Sequence, residues 1–390
     1  MEYTIDRQYV ESTLQDMVRI NSVNPGLAPD GPGEREMAHY LGDRMRELGM
    51  EVNVYEVAPK YWNAVGVLKG TGGGKSLMLT GHMDTVGVGG MADPFSAEIR
   101  DGKLYGRGSC DMKTGLAAAL GAVKALREAG IHPAGDVIVA GAADEEYLSI
   151  GSENLAATYK TDAVVVAEPS GLSIVRAHKG FIWFEVITTG RAMHGSNYAD
   201  GVDAIVFMGR FLTELEQVIQ EQQNRAPAPL LGPPSLHASL IRGGTELSTY
   251  PPSCTLTIEW RTIPGQTEEE LRGKLQHIID RLHARDEKFK AEVRTLFVRH
   301  PFEVPEDSPI VQTIHRQTEK ITGSAPQYFG MAGWADTSLF DRAGMPALIY
   351  GPDGEGAHAD VEWADLESLY TTANVFAATI LDFCGIGAGQ

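Results

Sequence analysis

The sequence predicts an α/β protein of two domains, in which a layered α/β domain is interrupted by an inserted α+β module. Three observations carry this. Buried-type apolar runs of strand length alternate with amphipathic helical runs through residues 1–177. From residue 178 the strands alternate apolar and polar positions instead, and from 299 to 390 the first pattern returns. At 390 residues, the chain also exceeds the usual size of a single hydrophobic core.

In the first part, Asp6 is placed to cap a helix running to about Ile20, and GEREMAHYLGDRMRELG reads as a second helix ending at a glycine. EVNVYEV, NAVGVLKG and SLMLTGH read as successive strands. MKTGLAAALGAVKALREAG is a long helix stopped at Gly130, and DVIVAGAADEE and DAVVVAEP are apolar strands of the kind buried on both faces. The module at 178–298 opens with the alternating HKGFIWFEVITTG and contains strands HASLIRGG, CTLTIEWRT and AEVRTLFVR. A helix capped at Thr267 lies within it, and APAPLLGPPS reads as a loop. Beyond it come a helix from Ser308, a glycine-rich turn at GMAGWAD, the strand PALIYGP and a last helix from about Trp363 to Phe383.

The chain carries 33 basic and 52 acidic residues, a formal charge of −19, which repels a phosphate backbone and an anionic membrane surface. Nucleic acid and membrane are therefore not expected partners. An anionic substrate would need a local cation, so an arginine in the site is expected. Cys110, Cys254 and Cys384 are widely spaced with no CxxC pair, and the N-terminus shows no basic segment followed by an apolar run. A reducing, cytoplasmic location is expected.

Residues able to do chemistry gather at strand ends. His82 ends an apolar strand in GHMDTV, and Asp84, two residues on, is spaced to lie on the same side and orient the imidazole. Alone, such a pair is more often a solvated turn. Asp111 precedes the long helix in GRGSCDMKTG, where a helix N-cap is the ordinary explanation. Asp144, Glu145 and Glu146 follow VIVAGA, Glu168 follows VVVA, and His358 lies in GPDGEGAHAD after PALIY. Three adjacent acids need a counter-charge unless they are a solvated loop; a divalent ion supplies one and frees one glutamate to act as a base. Because several of these positions follow parallel-type strands, they are expected to converge at one sheet edge. Two histidines and three carboxylates suit borderline to hard divalent ions.

GHMDTV, YGRGSCDMKTG, ADEE, AEPS and GAHADVE, in this order across nearly the whole chain, resemble the M20 metallopeptidases, a family of deacylases, desuccinylases, aminoacylases and carboxypeptidases. The resemblance implies two divalent ions, zinc above all, with cobalt or manganese as options. Asp111 would bridge them, His82 and Glu168 would complete one site, and Glu146 and His358 the other. It makes Asp84 the residue orienting His82, and Glu145 the general acid/base of amide hydrolysis. A cis peptide after Asp111 is also implied. The inserted module would be a lid and dimerisation domain of a homodimer. His194 in RAMHGS would then stabilise the oxyanion, reaching a partner's site, and Arg261 would bind a substrate carboxylate.

Two departures bear on specificity. Ser248 stands where the family often has asparagine, and the loop GMAGWADTS brings Trp334 near Asp336, suggesting an apolar, partly filled pocket. The expected substrate is an N-acyl amino acid or short peptide. Deacylation is favoured over carboxypeptidase or dipeptidase action, and over a non-catalytic metal-binding protein.

Overall fold

The computed structural model describes residues 2–387 and divides into two compact units. One takes the chain up to Arg176, then Val304–Phe329 and the described residues from Ala335 onward; the other is Ala177–Glu303 with Gly330–Trp334. Trp334 thus belongs to the second unit, whereas Asp336 belongs to the first.

The first unit is built on a mixed sheet. Its strands run in the order Glu51–Ala58, Tyr61–Leu68, Val137–Ala142, Leu77–His82, Ala163–Val166, Ala347–Ile349 and Ile174–His178. The last of these carries the chain into the second unit. The four strands from Val137–Ala142 to Ala347–Ile349 are parallel and buried along their lengths, which is why each reads as an unbroken apolar run. Parallel pairing has a consequence for chemistry: the C-terminal ends of these strands open on one edge, where loops are free to carry polar groups.

Helix Thr114–Glu128, buried almost throughout, packs against helices Arg7–Arg19 and Leu366–Cys384. Its start is pressed onto the strand end that leads to Glu168. A Cβ on Gly115 would lie 2.0 Å from the Ala167 carbonyl oxygen, so only glycine permits the approach. Asp6 caps the first helix through the Tyr9 amide. The last helix begins at Leu366 rather than Trp363. Trp363–Asp365 is a short strand paired antiparallel with Lys103–Tyr105, and Asp365 then caps the helix by accepting from the Ser368 amide. These two strands sit in a small four-stranded sheet with Glu98–Arg100 and Gly354–Glu355.

The second unit is a four-stranded antiparallel sheet in the order Ser235–Gly243, Ser253–Thr262, Gly180–Thr189, Lys290–Arg299. Helices Ala204–Gln223 and Glu268–Arg285 join the core of this unit. Strict alternation along Gly180–Thr189 sends Ile182, Phe184 and Val186 into that core, where they meet Phe211, Trp260 and Leu275. Each such buried side chain contributes roughly 1.5–3 kcal/mol. Thr267 caps the second helix through the Glu270 amide. Edge strand Ser235–Gly243 is exposed over most of its length. No helix among the described residues is long and apolar enough to cross a membrane.

Candidate active site

Five chain segments deliver their polar residues to the open edge of the first unit's sheet. His82 closes strand Leu77–His82 and is nearly fully buried. Its Nδ1 lies 2.9 Å from the backbone carbonyl of Asp84, so Nδ1–H donates there and Nε2 is turned to the site. Nε2 faces Asp111 Oδ1 at 2.9 Å and Glu168 Oε1 at 3.6 Å. On the other side, His358 Nε2 lies 3.3 Å from Asp111 Oδ2 and 3.0 Å from Glu146 Oε2. Asp111 therefore turns one oxygen to each histidine. His82, Asp111 and Glu146 each offer a donor atom within 4.8 Å of the others, forming a group able to hold a metal ion.

Local backbone makes this convergence possible. Asp111 is not a helix cap. It lies in the turn Ser109–Lys113, whose helical path is broken by extended backbone at Asp111 and followed by a cis peptide to Met112. Asp144 and His358 both adopt left-handed conformations, with φ of 65° and 64°. Such backbone is uncommon outside glycine and is found at sites that the surrounding structure over-determines.

The orienting aspartate works differently from the expectation. The carboxylate of Asp84 stands 3.6 Å from His82 Nδ1, while its backbone oxygen makes the hydrogen bond. Its carboxylate instead accepts the amides of Glu145 and Glu146 at 3.1 and 3.2 Å and the Asn24 Nδ2 at 2.7 Å. Asn24 also donates to Asp144 at 2.9 Å, so one buried amide ties the Asp84 loop to the acidic loop. Asn24 was not among the sequence candidates; the only signal for it is its place in NSVNPG, close in sequence to nothing else in the site.

Electrostatically the cluster is dominated by buried carboxylates set against two histidines. Burial, then the neighbouring Asp336, Glu168 and Glu146, hold the Glu145 carboxyl well above its ordinary range despite the opposing pull of His82. Burial likewise pushes Glu168 up to about 8 and raises Glu146. Burial also opposes ionisation of Asp111, yet hydrogen bonds from His358 and His82 hold it below the ordinary carboxylate range. His358, between Asp111 and Glu146, is raised to about 10. Several buried carboxylates aimed at one another repel unless protons or metal cations lie between them, so the donor set fits divalent ions.

The remaining candidates lie on other segments of the chain. Asp336 is buried, its charge raises Glu145 and Glu168, and one of its carboxylate oxygens accepts from Ser152 Oγ at 2.5 Å. Trp334 donates its Nε1–H to the His300 carbonyl at 3.2 Å and meets Phe181 edge-on, within the second unit. There, too, exposed His194 lies beside Ser248: the Gly195 amide donates to the Ser248 carbonyl at 2.7 Å, and His194 Nδ1 contacts Ser196 Oγ at 2.8 Å. Arg261 is paired with Glu259 at 2.5 Å, and its guanidinium stacks over Phe181.

Comparison with known proteins identifies the family. Residues 78–382 match the family described as peptidase family M20/M25/M40. The chain is 30% identical over 389 residues to an acetylornithine deacetylase from Myxococcus xanthus, covering 96% of this chain and 98% of that one. It is 29% identical over 378 residues to an acetylornithine deacetylase from Edwardsiella ictaluri, covering 93% and 94%. The fold is shared with the aminopeptidase PepT from Bacillus cereus, at a TM-score of 0.79, 20% identity and coverage of 97% and 99%. It is shared also with a metallo-carboxypeptidase from Sulfolobus solfataricus, at a TM-score of 0.73, 19% identity and coverage of 98% and 99%. Fold and site define a metal-dependent hydrolase of amide or peptide bonds. The chain belongs to peptidase family M20/M25/M40.

Proposed function

We propose that the protein hydrolyses N-acyl amino acids to a carboxylate and a free amino acid at a two-metal centre. Asp111 would bridge the ions, His82 and Glu168 would hold one, and Glu146 and His358 the other. The observation that carries this reading is the division of Asp111, with Oδ1 toward His82 and Oδ2 toward His358. The donor set suits zinc, with cobalt or manganese as alternatives. When bound, such ions polarise the amide carbonyl and make water more acidic.

Glu145 moves the proton. Burial makes its carboxylate form more basic than an ordinary glutamate, so as a carboxylate it would accept the proton of an attacking water and return that proton to the leaving nitrogen. The amides of Glu145 and of its neighbour Glu146 are fixed by Asp84, which positions base and ligand together. Arg261 anchors the substrate carboxylate, while His194 donates to the developing oxyanion with Ser248 shaping the adjacent loop. Trp334 bounds the acyl side, and Asp336 supports the site from within the core.

The acetylornithine deacetylase relatives, matched end to end, support a deacylase over a carboxypeptidase or dipeptidase. A homodimer through the second unit is supported by its open edge strand, which exposes Leu240 and Ile241 next to unpaired backbone. Sedimentation of the purified chain tests that assembly. Cys110, Cys254 and Cys384 are buried and unbridged, which supports a reducing, cytoplasmic setting. A panel of N-acetyl, N-succinyl and N-aminoacyl compounds tests the reaction: turnover of the acyl series is expected, and turnover of dipeptides alone would replace deacylation with peptidase action.

A further inference from the structure

Two buried charges outside the set of candidate ligands connect three segments of the site. Arg107 and Glu362 are each 2% exposed and form an ion pair, with Arg107 Nη1 at 2.6 Å from Glu362 Oε2. The remaining oxygen of Glu362 accepts two successive backbone amides, Cys110 N at 2.9 Å and Asp111 N at 3.0 Å. Arg107 uses its other donors on carbonyls, Gly87 at 3.2 Å through Nε and Ala359 at 3.0 Å through Nη2. Ala359 follows His358, and Gly87 lies in the loop beyond Asp84.

The small antiparallel sheet brings the two residues together. Tyr105 pairs with Trp363, so Arg107 and Glu362 leave adjacent strands side by side. The intervening hairpin is tight: a Cβ on Gly356 would lie 1.9 Å from the Val361 carbonyl oxygen. His358 sits in this hairpin with left-handed backbone. Burying two full charges is costly, and replacing such a pair with apolar side chains is often neutral or stabilising for a fold. A buried pair that also hydrogen-bonds the backbone of three site loops points to a task other than stability.

We propose that the Arg107–Glu362 pair is a positioning device that fixes the backbone of Asp111 and His358 in the one relative placement that lets both address the same pair of cations. Glu362 sets the Asp111 backbone and Arg107 holds the residue after His358, so the pair couples a ligand shared by both sites to a ligand of one. This rests on the two-metal reading above.

The test uses the full chain stripped with a chelator and titrated with Zn2+ or Co2+ against a competing fluorescent chelator, alongside thermal melting and kinetics. Glu362→Gln keeps volume and one acceptor. The double variant Arg107→Met with Glu362→Leu removes both charges and leaves the loop amides and carbonyls unanswered. For each folded variant, metal affinity is expected to fall roughly 10–100-fold, kcat to fall with KM little changed, and the visible spectrum of the Co2+ form to shift. If the double variant does not fold, Glu362→Gln carries the test alone. Metal affinity, cobalt spectrum and kcat all at wild-type level in a folded variant would overturn the assignment. A wild-type chain that bound no divalent ion would instead remove the two-metal reading itself.

Discussion

Asp84 accepts the backbone amide of Glu145 at 3.1 Å, although its sequence spacing aims it at His82. Its second oxygen takes the Glu146 amide, and Asn24 bridges it to Asp144. Asp84→Asn replaces one acceptor oxygen with a donor, so at least one of these amides loses its partner. The expected result is a fall in kcat of roughly 10–100-fold with KM little changed, since the loop that carries the base loosens. Steady-state kinetics check this; a variant whose only change is in KM would place Asp84 at the substrate instead.

Glu145→Gln keeps the shape of the base and removes its proton affinity. Amide hydrolysis is expected to fall by about 10²–10⁴, with divalent-metal binding retained. Parallel measurement of turnover and bound metal separates the two roles, and unchanged turnover would remove Glu145 from catalysis.

The division between what could and could not be foreseen follows from chain geometry. Strand-end residues such as His82, Glu146 and Glu168 are legible because parallel strands bring their C-terminal ends to one edge, whatever the loops do. The role of Asp84 was not, because period-two spacing says which side a residue lies on and nothing about whether its carbonyl or its carboxylate reaches the imidazole. Arg107 and Glu362 stand inside the quoted motifs YGRGSCDMKTG and GAHADVE, yet nothing local marks them as partners across 255 residues. Trp363 was assigned to a helix because its neighbours are helix-like; long-range pairing with Tyr105 decides otherwise. The sequence likewise carries no sign that Ser152, far off in the chain, donates to Asp336.

Glu34 offers a pH-dependent prediction independent of the metal ligands. It is fully buried, and burial followed by the negative charge of Asp84 raises its carboxyl from an ordinary 4.5 to about 8. The folded chain therefore binds this proton more tightly than the unfolded chain. Its stabilising effect is complete below about pH 4.5 and is lost as pH rises toward 8. Relative to Glu34→Gln, the wild type is expected to lose roughly 3–5 kcal/mol across that window. Urea unfolding at several pH values tests this, and parallel profiles for the two chains would mean that Glu34 is ionised in the fold.

Arg261→Ala is expected to raise KM for substrates bearing a free carboxylate by about tenfold or more, and to matter much less for the corresponding amides. The existing pair with Glu259 must be shared or released on binding, so Glu259→Gln is expected to lower KM. Equal effects of Arg261→Ala on acids and amides would separate this arginine from carboxylate recognition.

In the proposed metal-dependent amide hydrolase, His82, Asp111, Glu146, Glu168 and His358 would hold the ions. The most direct test is release of free amine from N-acetyl amino acids by the chelator-stripped chain, titrated with Zn2+, Co2+ or Mn2+. The account predicts no turnover without metal and full activity at two equivalents per chain. Turnover that persists in the stripped chain, or its absence from the fully loaded one with acyl amino acids and dipeptides alike, would contradict it.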